Sequence, residues 1–213
     1  MPPSPRPREI AANANDGVDS VPMTSLSPSL ASIRKELDAT TARLHTLVDT
    51  MDDAAWRKRP GNEAWSVAEC IEHLNLTSRA YVPLLRAAIQ DGRTRGLTDS
   101  TGRNRLDVVG WMFVKLLEPP VKRMRVQTTP PFVPPSVDQR TNVVAEYDEL
   151  QRKLIAFLSE ADGLALSKIK VASPFNAKFR YNMYSAYRMI ASHQRRHLWQ
   201  AEHAHEAIRA VAR

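Results

Sequence analysis

The sequence predicts an all-α fold, a four-helix bundle, and three observations lead there. Four separate segments repeat their apolar residues at intervals of three, four and seven, the spacing of one buried helix face. No segment of useful length alternates apolar and polar residues with the period of two that a half-buried strand needs. Start or stop residues mark at least one end of three of the four segments. At 213 residues the chain suits one domain with a full core.

Residues 1 to 26 carry five of the fifteen prolines and little that could enter a core, so they read as a disordered tail ahead of a helical domain spanning 27–213. Ser27-Pro28 then looks like a helix start, a capping hydroxyl followed by proline in the first turn. From there Leu30, Ile33, Leu37, Leu44, Leu47 and Met51 form a single stripe. Trp56 and the following RKRPGNEAW read as a connection broken at Pro60-Gly61. The second helix opens on Ser66-Val67-Ala68-Glu69, a capping box in which serine and glutamate satisfy each other's backbone N–H. Trp65 precedes it, in position to pack against Cys70 as a staple. Its stripe runs through Ile71, Leu74, Tyr81, Leu84, Leu85 and Ala88. Pro83 removes a hydrogen bond in mid-run and predicts a kink or interruption, and Gly92 and Gly96 mark the end.

Between 97 and 137 the pattern is least regular. RLDVVGWMFVKLLEP predicts a short helix ending before Pro119-Pro120, and PPFVPPS at 130–136 an extended loop or cover segment. Trp111, Met112, Phe113, Leu116 and Leu117 are too apolar to stand in water, so this segment should cover the bundle or pair with a second copy. The third long helix, roughly 141 to 160, turns Val144, Tyr147, Leu150, Leu154, Phe157 and Leu158 inward and ends at Asp162-Gly163. A loop through Ser173-Pro174-Phe175 leads to the last helix, from about Asn182 to Val211, with Ala186, Ile190, His193, His197, Ala201 and Ile208 inward.

Charge and composition narrow the function. The single cysteine excludes an internal disulfide and any cysteine-cluster metal site. There is no glycine-rich phosphate loop, no apolar secretory signal at the start, and no apolar stretch as long as a membrane span. Together these predict a cytoplasmic protein with no membrane partner. Residues 168 to 213 hold nine basic and two acidic groups, a surplus suited to an anionic small molecule. Arg195 and Arg196 are a pair rather than a run, and no helix-turn-helix pattern supports nucleic-acid binding.

Six histidines say more than composition does. His193 and His197, in SHQRRHLWQ, lie four apart on adjacent turns of one helix face and can chelate one ion. His73, in ECIEHLNLT, sits two turns into the second helix, on or beside its inward stripe. If the second and last long helices are neighbours, three imidazoles converge and leave a coordination position open, the arrangement of catalytic zinc sites. Imidazole also accepts nickel, iron, cobalt and manganese, so spacing leaves the divalent ion unnamed. Each residue has a plainer reading: the pair as part of a salt-laced surface, His73 as a hydrogen-bonded core histidine. His45, His203 and His205 read as surface residues, although counting leaves His203 beside His197 and His205 beside His73 open. Cys70 reads as a small core residue, and Glu69 is explained by its capping box.

The segments Trp65-Ser66-Val67-Ala68-Glu69-Cys70-Ile71-Glu72-His73-Leu74 and His193-Gln194-Arg195-Arg196-His197-Leu198-Trp199-Gln200 resemble the signature segments of the DinB-like (DinB/YfiT-related) family. Lys170-Val171-Ala172-Ser173-Pro174-Phe175 resembles the loop before that family's last helix. The resemblance spans roughly 27 to 212 and implies an up-down-down-up bundle with a divalent metal held by His73, His193 and His197. It also implies that Gln200 stands behind the ligands. The stretch from Arg93 to Pro135 is longer than the simplest relatives carry, and suggests a lid or a homodimer surface. The family's activities are mixed, including transfer of low-molecular-weight thiols. The expectation is therefore a metal-dependent thiol (S-)transferase or a hydrolase acting on a small, anionic substrate. The alternative is a non-enzymatic, metal-binding or stress-response bundle serving as an interaction module.

Overall fold

The computed structural model describes residues 26–99, 101–120, 128–134 and 139–211; the expected N-terminal tail lies outside them, apart from its last residue. Four long helices make the bundle: α1 (Pro28–Asp49), α3 (Val67–Thr94), α5 (Arg140–Ala161) and α6 (Met183–Val211). Around its circumference the order is α1, α5, α3, α6. Side-chain bonds give the directions. Glu36 meets Arg188 at 2.5 Å and Arg43 meets Glu202 at 2.7 Å, so α1 and α6 run parallel. Arg79 bonds Glu146 and Arg93 bonds the Glu160 carbonyl, so α3 and α5 also run parallel. Thr41 of α1 meets Gln151 of α5, while Ser27 at the start of α1 reaches Asp162 at the end of α5; these two are antiparallel. The topology is up-down-down-up.

Local chemistry sets both ends of α3. The capping box of α3 is complete, with Ser66 Oγ accepting from the Glu69 N–H and the Glu69 carboxylate accepting from the Ser66 N–H. Gly96, at φ 60°, closes the chain after α3 in the left-handed region that only glycine enters without strain. Of the two outcomes the sequence allowed at Pro83, interruption does not occur: α3 runs through it unbroken, because packing on α5 and α6 outweighs one lost hydrogen bond. The reading of Ser27 is corrected. Ser27 precedes α1 but its hydroxyl caps nothing; its carbonyl accepts the Leu30 and Ala31 N–H groups instead.

The connections hold more structure than the sequence suggested. The residues after α1 form a short helix, α2 (Asp53–Arg57), capped by Asp52 and burying Trp56 completely. The approach to α6 is a two-stranded antiparallel hairpin, β1 (Lys170–Ala172) with β2 (Arg180–Asn182), each strand too short for its alternation to be seen. The apolar segment in the middle of the chain becomes α4 (Val108–Leu117), which lies along α6. Asp107 anchors it: its carboxylate accepts from the Gly110 and Asn182 N–H groups, from Ser185 and from Lys170. Burial would raise that carboxyl, but these four bonds hold it below the usual range. Gly110 and Val114 face α6, whereas Val108, Trp111 and Met112 remain exposed. No helix among the described residues is long and apolar enough to cross a membrane.

The core falls into two apolar clusters. One gathers Ile33, Leu85, Leu154, Leu158 and Ile190, the other Leu44, Trp56, Ile71, Leu74, Tyr147 and Leu198. Along α6 the first ends at Ala191 and the second begins at Leu198. Between them lies a polar stratum, in which Gln194 and Gln151 exchange hydrogen bonds at 2.7 and 3.1 Å and Thr40 joins them at 3.2 Å. Buried amides whose nitrogen and oxygen atoms are each bonded fix one register of packing, since a shift would leave them unsatisfied. His193 and His197 occupy this same level of α6.

Candidate metal centre

The early turns of α3 and the middle of α6 bring three imidazoles together. His73, His193 and His197 place one ring nitrogen each within 4.8 Å of the others, and no carboxylate or thiol joins this group among the described residues. The His73 and His193 Nε2 atoms face each other at 3.1 Å. His73 Nδ1 lies 2.7 Å from the Phe132 carbonyl, which can only accept, so Nδ1 carries the proton and the Nε2 lone pair points at the cluster. A ring held this way is the usual arrangement behind a histidine ligand. The convergence follows from topology: α3 and α6 are neighbours, and the i,i+4 pair on α6 meets the inward stripe of α3.

Electrostatics keep the rings neutral. Burial lowers His73 to about 4, with the Phe132 carbonyl opposing. Burial also drives His193 and His197 well below their ordinary value, assisted by the charge each ring would place on its neighbours and by Arg196. Gln200 stands beside His197, where its side chain favours the protonated ring. His197 Nδ1 is itself buried with no hydrogen-bond partner. Three converging neutral imidazoles, with the His73 Nε2 lone pair turned toward the other two rings and an orphaned buried nitrogen on His197, fit a divalent cation of the kind that accepts nitrogen ligands.

The sign of the pH response follows. Unfolded histidines protonate near 6.5, whereas His73 resists protonation until about 4, so between these values the unfolded chain binds more protons. Stability of the metal-free protein should therefore fall as pH is lowered from 6.5 toward 4. Urea midpoints at pH 7, 6 and 5 measure this, and a His73→Phe variant should show a flatter profile. Equal slopes in the two proteins would contradict the assignment.

Aromatic rings wall the cluster. The Trp65 ring lies 5.0 Å from His73 and 6.0 Å from His197, so it covers the histidines, and it also packs against the apolar cluster that contains Cys70, its expected staple partner. Phe175, on the hairpin, is 5.9 Å from His193 and 4.7 Å from Phe132. His73 and His197 are buried and His193 is half-buried, so approach from solvent is past His193. The sequence reading missed Phe132, whose contribution is a backbone carbonyl 59 residues from its partner and leaves no side-chain signal.

The remaining candidates sit elsewhere. His45 pairs with Asp148 at 2.9 Å, half exposed, and His203 bonds the Trp199 carbonyl on the surface. His205 corrects its reading as a surface residue: it is buried, with neither ring nitrogen bonded among the described residues. Its spacing of four from Ala201 and eight from His197 turns it inward with them. Cys70 is fully buried, and burial together with the nearby Glu69 charge raises its thiol far from any reactive range. Glu69 is ion-paired to Arg59 as well as bonded to Ser66; burial would raise its carboxyl, but these partners hold it below its ordinary value.

An up-down-down-up bundle with three converging histidines defines a helical protein with a candidate mononuclear metal centre. The model of the DinB superfamily matches residues 36–201, and the chain belongs to that superfamily. No curated protein and no solved structure gave a match.

Proposed function

We propose that the protein is a divalent-metal-dependent enzyme that transfers or activates a small thiol, with His73, His193 and His197 as the ligands. The observation that carries this reading is the all-imidazole donor set. An ion held there supplies Lewis acidity, which lowers the pKa of a thiol or water in the open position. Neutral ligands leave its positive charge undiminished. His73 orients its Nε2 through the Phe132 carbonyl, and Trp65 and Phe175 shield the ligands from bulk water.

Hydrolysis is the less favoured chemistry, because it calls for a general base and no carboxylate among the described residues lies in the cluster. Glu69, the acidic group expected to compete for that role, is held by Arg59 and Ser66. Glu69→Gln should therefore cost about 1 kcal/mol of stability through the cap and leave metal content unchanged. Thermal melts and metal analysis of the variant measure both; full stability with lost metal would reverse the assignment.

Protein purified without a histidine tag should contain about one divalent ion per chain by elemental analysis. After exchange for cobalt, a small thiol should produce a sulfur-to-metal charge-transfer band. The near-complete burial of His73 and His197 favours a second reading, a metal-stabilised bundle with no catalysis. That reading expects bound metal and no spectral response to thiols. A homodimer would use the exposed Val108, Trp111 and Met112 face of α4, and sedimentation of wild type against Trp111→Glu reads it out.

A further inference from the structure

Arg196 is a buried cation, 9% exposed. Its Nη1 donates to the Leu116 carbonyl at 2.9 Å, at the C-terminal end of α4, and no carboxylate pairs with it among the described residues. Its neighbours differ. Arg188 and Arg195 share Glu36, and Arg195 also reaches Glu118. One carbonyl satisfies one of the five N–H groups a guanidinium carries. A buried charge without a counter-ion costs stability unless something offsets it, and a bound anion would do so.

Its place on α6 indicates which anion. Arg196 follows His193 by three residues, so the two side chains adjoin on the helix surface. His193 is the ligand whose ring is only half-buried, on the side from which a substrate must enter. Arg196 also directly precedes His197, so it leaves α6 on the same turn as the cluster's second ligand from that helix. The hydrogen bond to Leu116 holds the guanidinium at the seam between α4 and α6. Resting on the metal-site reading above, we infer that Arg196 is the substrate-specificity residue of this site, binding a carboxylate on the molecule whose reactive atom meets the metal. The planar guanidinium suits this task, since it can take both carboxylate oxygens together.

The test compares 3-mercaptopropionate with 3-mercaptopropanol, which differ in the carboxylate alone, on cobalt-loaded protein followed by absorbance. Wild type should bind the acid at least tenfold more tightly than the alcohol. Arg196→Gln should abolish that preference while the alcohol's affinity and the cobalt content stay unchanged. Arg196→Met, which keeps the apolar stem, repeats the measurement if the glutamine variant does not fold. A preference that survives in the variant belongs to the metal alone and overturns the inference, as does equal binding in wild type. If the chain takes up no cobalt, calorimetry with propionate on the metal-free protein separates the two readings. Binding that Arg196→Gln removes would uphold the carboxylate subsite while the metal reading fell; no binding would end both.

Discussion

Replacing His197 with alanine is expected to strip the protein of metal, and replacing His193 or His73 should do the same. Each ring supplies one of three converging nitrogens, and among the described residues no carboxylate or thiol joins them to substitute. The loss should exceed the roughly 10–100-fold in affinity that removing an outer hydrogen-bond partner costs. Gln200→Ala, which touches His197 without belonging to the cluster, should fall within that smaller range. Thiol-induced absorbance should vanish with the metal, while helical content by circular dichroism persists because both apolar clusters are intact. Full occupancy in the His193 and His197 variants would be decisive against the proposed centre.

Gly110→Val should loosen α4 from the bundle. A Cβ at Gly110 would overlap both the Cβ and the Oγ of Ser185, which lie on the backbone side of α6 and cannot swing away as a long side chain does. Ser185 is also a donor to Asp107 and accepts the Asp107 N–H, so the displacement breaks the anchor of α4 as well as its packing. Overpacking of this kind costs about 1–3 kcal/mol, and lost hydrogen bonds add to it. The overpacking alone should lower the melting temperature by roughly 2–12 °C, given about 2–4 °C per kcal/mol at this chain length. Limited proteolysis should then cut on either side of α4 before the rest of the bundle. An unchanged melt with an unchanged digestion pattern would show that α4 does not depend on this close approach. Since Arg196 bonds Leu116 on the same helix, the variant should also weaken any carboxylate preference at the metal site.

Much of this molecule is determined locally and was therefore readable. The four long helices begin and end within a few residues of where periodicity and caps place them, because the stripe and the capping box act over one or two turns. The His193–His197 pair was legible for the same reason: helical geometry sets their separation without help from the rest of the chain. The tertiary structure decided what depends on distant segments. It set α3 beside α6, so that His73 meets the pair, and brought the Phe132 carbonyl to His73 Nδ1. It laid Trp65 over the histidines and turned His205 inward. It left Arg196 buried with a carbonyl for a partner while Arg188 and Arg195 found Glu36, although nothing in the sequence separates the three. Periodicity states which face of a helix is buried, but which neighbour covers that face, and which polar atoms meet there, emerges only when all the faces are satisfied together.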